Sequence, residues 1–317
     1  CIAFALFFYK IRYGFYALTP LLLFFIYSIF VVTLFSNKKN SFLSVRVVQP
    51  SIQQDEKWDK KLKSQHLEKL ITLSSAENNN FNPSIIIWPE SGFPYNSSLL
   101  EQKTNIFDWL KNHQVLITGA TRTNFKNNKL TDIYNSAYII DNSEQSRIYY
   151  DKIKLVPFGE YNPFKKLINF EKFTEGTLDF SSGKNVNIFY LSKLNYKIGL
   201  LICYEIIFSG QVVNGTRPDI LLNITNDAWY GDTYGPTQHL AAARARAIEE
   251  GLPLVRSANT GVSAVIDGKG RFIERLEIGK EGVLDIDVPM DSIRTIFSIY
   301  GNKIYIFILI FMLMLAR

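Results

Sequence analysis

Short apolar runs alternate with polar and amphipathic segments between residues 40 and 290. The runs have the length and the β-branched composition of buried strands, and glycine, proline or polar residues bound them. They predict strands at residues 42–48, 84–88, 114–120, 134–141, 197–203, 219–224, 254–257, 262–267 and 271–276. The amphipathic segments predict helices at residues 55–73 and 236–250. This alternation predicts a layered α/β domain over residues 40–290, with apolar strands at its centre.

A longer apolar stretch lies on each side of this domain. Residues 13–35 contain no charged side chain, and at about 1.5 Å per residue such a helix crosses a hydrocarbon core of about 30 Å. We therefore predict a transmembrane helix over residues 13–36 and a second one over residues 296–317. The first stretch is too long for a signal peptide, and residues 1–12 are predicted to be the end of a truncated membrane helix and a short loop. Arg317 favours a cytoplasmic C-terminus, which places the central domain on the other side of the membrane.

The charge and the cysteine content narrow the classes of partner. The chain has 317 residues, a net charge of +6 and two cysteines. A basic surface suits anionic lipid headgroups as well as nucleic acid, but no phosphate-binding loop, zinc finger or RNP-like run accompanies it. Two cysteines without a CxxC or HExxH motif indicate neither a disulfide framework nor a metal site. We predict a membrane partner, no nucleic acid, no metal and no cofactor.

One cysteine stands where a nucleophile is expected. Cys203 ends the apolar run of LLICYEIIF, so its thiol lies at a strand-to-helix turn at the edge of the predicted sheet. The backbone N–H of Tyr204 then faces the position of a developing oxyanion. A buried cysteine is more often a small apolar residue than a nucleophile, so this segment alone leaves both interpretations open.

The partners of such a thiol are sought among acids, bases and cations. The three histidines, His66, His113 and His239, lie in segments without a catalytic signature. Glu90 follows the apolar SIIIWP run, and the carboxyl ends of strands are where open α/β sheets build their sites. Lys152 lies in the charged segment YYDKIKLVPFGEY. Each of these two residues also has an ordinary interpretation, as a solvated loop glutamate or as a surface lysine.

The three candidates together resemble the nitrilase superfamily. That superfamily has, in this chain order, a glutamate after a strand, a lysine in a Y-x-K segment and a cysteine followed by an aromatic and an acidic residue. Here these segments are Trp88-Pro89-Glu90, Tyr150-Asp151-Lys152 and Cys203-Tyr204-Glu205. The resemblance covers residues 42–290 and implies an αββα sandwich flanked by transmembrane helices.

Longer motifs are similar to the apolipoprotein N-acyltransferase branch of that superfamily. They are KIKLVPFGEYNP at residues 152–163, CYEIIF at residues 203–208 and NITNDAWYGD at residues 223–232. The resemblance implies a nucleophile, a general base and an oxyanion-binding lysine, and these roles fall on Cys203, Glu90 and Lys152. It also implies supporting or substrate-binding roles, which fall on Glu160, Tyr204, Glu205 and Trp229. Simple core packing is an equal alternative for Trp229, and the side-chain amide of Asn135 is a further candidate for supporting the site.

The same resemblance implies a reaction and a location. Members of the branch move an acyl chain from a phospholipid to the α-amino group of a lipoprotein's diacylglyceryl-cysteine. They lie in the bacterial inner membrane, with the catalytic domain on the periplasmic side. Two alternatives stay open: a membrane-tethered amidase or carbon–nitrogen hydrolase that uses water as the acceptor, and an inactive membrane-anchored binding module. The apolar loop at residues 161–183 is expected to be either a packed lid or an arm dipping into the membrane interface.

Overall fold

The computed structural model describes most of the central domain and parts of both ends of the chain. The described residues are 18–26, 36–37, 41–78, 80–101, 105–127, 129–141, 148–163, 179–213 and 215–315. Their strands, in chain order, are β1 Ser36–Asn37, β2 Phe42–Gln49, β3 Ile85–Ile87, β4 Val115–Lys126, β5 Lys129–Asp141, β6 Ile148–Asp151, β7 Ile188–Leu191, β8 Tyr196–Ile202, β9 Ile220–Thr225, β10 Leu254–Ala258, β11 Ser263–Ile266, β12 Phe272–Leu276, β13 Gly282–Pro289 and β14 Ser292–Ile293. Their α-helices are α1 at residues 18–26, α2 Lys63–Ser75, α3 Ser98–Glu101, α4 Gly235–Glu250, α5 Ile296–Tyr300 and α6 Lys303–Leu315.

Two six-stranded sheets pack face to face. The first has the strand order β13-β2-β3-β4-β5-β6, and the second has the order β12-β11-β10-β9-β8-β7. Within the first sheet β2, β3 and β4 are parallel, and within the second β8, β9 and β10 are parallel. The carboxyl ends of parallel strands meet at one edge of a sheet, which is where side chains from separate strands can form a site.

Each sheet buries both of its faces, and this explains the apolar strands. Alternate residues of β3 point to opposite faces, so Ile85 and Ile87 join the core between the sheets while Ile86 packs outward with Leu70 of α2. The second sheet follows the same rule, and its outer face packs against α4. The layers are therefore α2, first sheet, second sheet and α4. The predicted αββα sandwich is confirmed.

The sequence located the central strands well but misplaced one helix boundary. Helix α2 begins at Lys63 rather than at residue 55. The Asp59 carboxylate accepts a hydrogen bond from Lys61 N at 2.8 Å, and this local turn competes with the helix. Strands β1, β6, β7, β13 and β14 were not predicted. Strands β6, β7 and β13 lie at the edges of the two six-stranded sheets, and in β13 charged residues interrupt the apolar pattern.

The two predicted membrane segments are only partly described. Residues 18–26 of the first are helical, but Ser36, its predicted last residue, belongs to β1, which pairs with β14. The second is not one continuous helix, because Gly301, at φ +55°, ends α5 before α6 begins. Among the described residues, no helix has both the length and the apolar character needed to cross a bilayer. Residues 1–12 and most of the predicted arm, residues 164–178, lie outside the described residues.

Candidate active site

The predicted site residues come from both sheets and meet at the same end of the sandwich. Glu90 follows β3, Lys152 follows β6 directly, and Cys203 follows β8. Asn135 lies within β5, where its carbonyl oxygen accepts a hydrogen bond from Lys152 N at 2.9 Å. Gly119 of β4 lets the Glu90 segment approach closely, since a Cβ there would lie 2.3 Å from Ser91 N. Any larger residue at position 119 would displace the glutamate.

Two carboxylates, one amide and one ammonium form a buried cluster. Asn135 Nδ2 donates to Glu90 Oε1 at 2.7 Å and to Glu160 Oε1 at 2.8 Å. Lys152 Nζ lies 3.0 Å from Glu160 Oε1 and 3.5 Å from Glu90 Oε1. Glu160 Oε2 accepts from Val156 N at 2.8 Å, which fixes the loop between the lysine and this glutamate. The amide and the ammonium thus bridge the same two carboxylates.

The cluster keeps Lys152 charged although its side chain is fully buried. Burial acts to lower the pKa of the ammonium, but the carboxylates of Glu90 and Glu160 outweigh it, so this pKa is raised above its usual value. One Glu160 oxygen therefore holds the Lys152 ammonium, and the other accepts from the backbone of the loop between the two residues. Asn135, which no motif marked, lies at the centre of the cluster.

Cys203 lies beside this cluster in a strained turn. Strand β8 ends at Ile202, and residues Cys203–Ile207 form a 3₁₀ turn in which Cys203 has a φ of +47°. A residue with a Cβ in this left-handed region costs about 1–3 kcal/mol, and such strain collects at functional sites. Burial and the negative charge of Glu90 raise the pKa of the Cys203 thiol, and Lys152 acts against them. The resting sulfur is therefore a protonated thiol close to both charges.

The Glu205 carboxylate accepts hydrogen bonds both from the turn that carries Cys203 and from the segment that carries Lys152. Its Oε2 accepts from Ile202 N at 2.8 Å, and its Oε1 accepts from Ile153 N and Tyr150 Oη, each at 2.7 Å. These donors come from β8, from β6 and from the residue after Lys152. The contacts assign Glu205 to the support of the turn. Burial raises the pKa of this carboxyl group above its usual range.

We expect Tyr150→Phe to lower the free energy of unfolding by about 1.5–3 kcal/mol, the usual contribution of a buried hydrogen bond to a charged group. The reason is that Tyr150 is 2% exposed and its hydroxyl donates to the buried Glu205 carboxylate. Urea denaturation followed by circular dichroism measures the change. Tyr190→Phe is the matched control, because the Tyr190 hydroxyl makes a bond of the same length, 2.7 Å, to Asn195 on the exposed surface. Equal losses in the two variants would contradict this account of Glu205.

The two aromatic candidates lie at the edges of the site. Tyr204 is partly buried and packs edge-on against Phe208, with ring centroids 5.1 Å apart. Trp229 is also partly buried and lies against Gly159, where a Cβ would come within 2.7 Å of the indole ring. Trp229 thus packs on the loop that carries Glu160. This position is compatible with both of the roles considered for it.

Further groups that touch the site were not predicted as site residues. Asn226 N donates to Glu90 Oε2 at 2.8 Å and so holds the second carboxylate oxygen. The buried Lys57 donates through Nζ to the Glu90 carbonyl oxygen at 3.0 Å, and burial lowers the pKa of this ammonium to about 8. Asn226 stands within the NITNDAWYGD motif, which was a usable signal. Lys57 lies in a segment predicted to be an ordinary amphipathic helix, where nothing marked it.

The cluster brings together the groups needed for acyl transfer through sulfur. A protonated thiol stands near a carboxylate that can take its proton and near an ammonium that can stabilise negative charge. All three groups are shielded from water, which strengthens their electrostatic interactions. The same geometry serves hydrolysis and transfer, since the two reactions differ only in the acceptor.

Comparison with solved structures defines the class of fold. A carbon-nitrogen hydrolase from Helicobacter pylori G27 superposes with a TM-score of 0.56 at 16% identity, covering 78% of this chain and 90% of that one. An amidase from Nesterenkonia sp. superposes with a TM-score of 0.54 at 18% identity, covering 80% of this chain and 92% of that one. The protein has the nitrilase-like α/β fold. Residues 44–296 match the carbon-nitrogen hydrolase family, and the chain belongs to that family.

Closer similarities come from curated proteins. An apolipoprotein N-acyltransferase from Rickettsia typhi is 37% identical over 277 residues, which cover 86% of this chain and 55% of that protein. An apolipoprotein N-acyltransferase from Rhizobium rhizogenes is 42% identical over 253 residues, which cover 76% of this chain and 47% of that protein. The chain thus spans about half the length of the curated relatives it matches.

Proposed function

We propose that this chain carries the catalytic domain of an apolipoprotein N-acyltransferase. It would move an acyl chain from a phospholipid, through a thioester on Cys203, to the α-amino group of a lipoprotein's diacylglyceryl-cysteine. The observation that carries the proposal is the buried thiol of Cys203 beside the cluster of Glu90 and Lys152. The relatives named apolipoprotein N-acyltransferase support this choice of donor and acceptor.

In the first half-reaction the proposed catalytic triad is Glu90, Lys152 and Cys203. Glu90 takes the proton of the thiol, and the sulfur attacks the ester carbonyl carbon of the phospholipid. Lys152 and the N–H of Tyr204 stabilise the oxyanion. The carbon–oxygen bond of the ester then breaks, and Glu90 gives the proton to the departing lysophospholipid hydroxyl. A thioester on Cys203 and an ionised Glu90 remain.

In the second half-reaction the acceptor amine replaces the sulfur. The α-amino nitrogen attacks the thioester carbonyl, and Glu90 removes a proton from the nitrogen. The carbon–sulfur bond breaks, and the sulfur recovers its proton from Glu90. The products are the N-acylated lipoprotein and the free thiol, so the enzyme returns to its starting state. Glu160 and Asn135 keep Lys152 and Glu90 in place throughout.

A membrane setting supplies the donor. The described parts of the two predicted membrane segments expose large apolar side chains: those of α1 from Leu21 to Ile26 and those of α6 from Tyr305 to Met314. Contiguous exposed apolar surface of this kind marks a site of contact with another apolar phase. We propose that these helices belong to membrane-spanning segments that lie within residues 13–35 and 296–317. The catalytic domain, residues 40–290, would face the periplasm at the bacterial inner membrane.

We expect incubation with phospholipid vesicles to leave an acyl group on Cys203, seen as a mass increase of the intact protein. Neutral hydroxylamine should remove it, because it cleaves thioesters readily, whereas Cys203→Ala should show no adduct. Addition of a diacylglyceryl-cysteine peptide should then release the adduct as N-acyl peptide. Release as free fatty acid alone would favour the amidase-type alternative. An active preparation without any adduct would contradict the proposed mechanism.

A further inference from the structure

A buried histidine contacts the backbone of the proposed nucleophile. His239 lies on α4, is 3% exposed, and has Nε2 at 3.1 Å from the carbonyl oxygen of Cys203. A carbonyl oxygen only accepts hydrogen bonds, so in this contact Nε2 carries a proton and donates. Its segment carries no catalytic signature. Its contact is with the backbone of Cys203, and the mechanism above does not use it.

The histidine is itself held by a buried pair of charges. Its Nδ1 lies 2.8 Å from Asp227 Oδ1, and Asp227 Oδ2 lies 2.6 Å from Arg256 Nη2. Burial acts to raise the pKa of the Asp227 carboxyl group, but Arg256 and His239 lower it to about 2, so it is ionised at neutral pH. Arg256 Nη2 also lies 3.2 Å from Nδ1. The imidazole ring is thus fixed in position and in orientation.

The peptide unit that His239 holds also carries the proposed oxyanion donor. The carbonyl of Cys203 and the N–H of Tyr204 belong to one planar trans peptide group, in which they point in opposite directions. A side chain that fixes the carbonyl on one side therefore fixes the direction of the N–H on the other. The first N–H groups of a helical turn have no partner within that turn, so this N–H is suited to receiving an oxyanion.

The strained backbone makes such an anchor necessary. Cys203 has a φ of +47°, a conformation that persists only where the surroundings determine it. Glu205 holds the turn on the N-terminal side of the cysteine, through Ile202 N at 2.8 Å. His239 holds it on the C-terminal side. Without the histidine, the carbonyl of the peptide between Cys203 and Tyr204 loses its hydrogen bond to a side chain, and the direction of this peptide is less well fixed.

We propose that His239 is a positioning residue that aims the N–H of Tyr204 at the oxyanion formed during attack by Cys203. This inference rests on the proposed nucleophilic role of Cys203 and adds a residue and an anchor to it. His239, Asp227 and Arg256 form the anchor, in that order outward from the cysteine. None of the three needs to touch the substrate.

The test compares two amide substitutions in the full chain. His239→Gln places an amide nitrogen near the position of Nε2 and keeps the donor to Cys203. His239→Asn places its nitrogen near the position of Nδ1, so it keeps the contact with Asp227 and loses that donor. The probe is a p-nitrophenyl ester of a short acyl chain, whose burst of p-nitrophenolate reports acylation of the thiol. Alkylation of the same thiol by iodoacetamide is measured in parallel, because that reaction forms no oxyanion.

We expect His239→Asn to slow the burst by roughly 10- to 100-fold, a part of the 10²–10³ lost with a whole oxyanion donor. His239→Gln should retain most of the burst rate, and alkylation should proceed alike in both variants and the wild type. His113→Ala, at an exposed histidine, should change neither reaction. Thermal unfolding verifies that the two amide variants are equally folded.

Three outcomes would overturn the inference: equal burst rates in the Asn and Gln variants, a parallel loss of alkylation and acylation, or an unaffected burst in the Asn variant. The ester probe requires neither phospholipid nor lipoprotein. A wild-type protein that reacts with the ester but gains no acyl group from phospholipid would refute the proposed function and leave this inference standing. The two failures are therefore distinguishable.

Discussion

Replacing Glu90 with glutamine is expected to change two reactions of Cys203 in opposite directions. Acylation of the thiol should become about 10²–10⁴ times slower, because that is the usual contribution of a general base. Alkylation by iodoacetamide should become faster, because the negative charge of Glu90 raises the pKa of the thiol. Without that charge a larger fraction of Cys203 is thiolate at neutral pH. One substitution thus distinguishes the loss of a general base, which slows acylation, from the gain of thiolate, which speeds alkylation.

The substitution is nearly isosteric. A glutamine keeps an oxygen that can accept from Asn226 N, which now bonds Glu90 Oε2 at 2.8 Å, and its amide nitrogen replaces the oxygen that accepts from Asn135 Nδ2. It removes the negative charge beside Lys152 and the ability to accept a proton. Stopped-flow measurement of the ester burst and timed mass spectrometry of the iodoacetamide adduct give the two rates. Glu274→Gln, at an exposed glutamate of β12, is the control and should leave both rates unchanged.

The direction of the alkylation rate is the decisive result. If acylation and alkylation both slow down, Glu90 supports the position of Cys203 and does not act as its base. If neither rate changes, another group accepts the proton. Only slower acylation with faster alkylation agrees with a general base that raises the pKa of its own proton donor.

The central strands were predictable because they are buried on both faces. A run such as SIIIW has to be apolar throughout when one sheet face meets the other sheet and the opposite face meets a helix. Strand β13 has the burial pattern of an edge strand, and charged residues such as Asp285 and Asp287 break its apolar run. Such strands are defined by pairing with a partner distant in sequence. The apolar pattern of one segment alone does not predict which distant strand will pair with it.

The candidate site was predictable to the extent that it lies in contiguous motifs. Glu90, Lys152 and Cys203 each follow a strand, and their segments carry the resemblance. The contacts that hold them depend on the fold: Asn226 is 136 residues from Glu90, and His239 is 36 residues from Cys203. A histidine on an alanine-rich helix looks like a packing residue. The contact of His239 with Cys203 becomes visible only in the fold, where α4 packs against the turn that begins at the cysteine.

Replacing Lys152 with methionine is expected to impair both catalysis and folding. The burst rate should fall by at least about 10²–10³, because the side chain is the proposed cation for the oxyanion. The free energy of unfolding should fall by about 3–5 kcal/mol, the usual result of removing one partner from a buried ion pair. Glu90 and Glu160 would then face each other across Asn135 without a cation between them. Lys197→Met, at an exposed lysine of β8, is the control and should change neither the burst rate nor the free energy of unfolding.

The loss of stability should depend on pH in a defined direction. In the wild type the pKa of Lys152 is raised, so its stabilising contribution is complete below the unfolded value of 10.5 and is lost only as the pH rises through the folded value. In Lys152→Met the two facing carboxylates favour uptake of a proton. Acidification should therefore lessen the destabilisation. Urea denaturation at neutral pH and at about pH 5 measures the difference between the variant and the wild type at each pH.

A second substitution separates the two roles of the lysine. In the double variant Lys152→Met with Glu160→Gln, only one carboxylate remains in the cluster, and Asn135 can still donate to it. We expect this protein to regain much of the lost stability at neutral pH, since the like-charge repulsion is gone. Its burst rate should stay as low as that of Lys152→Met, because the cation for the oxyanion is still missing. Recovery of the burst together with stability would mean that Lys152 serves the fold alone.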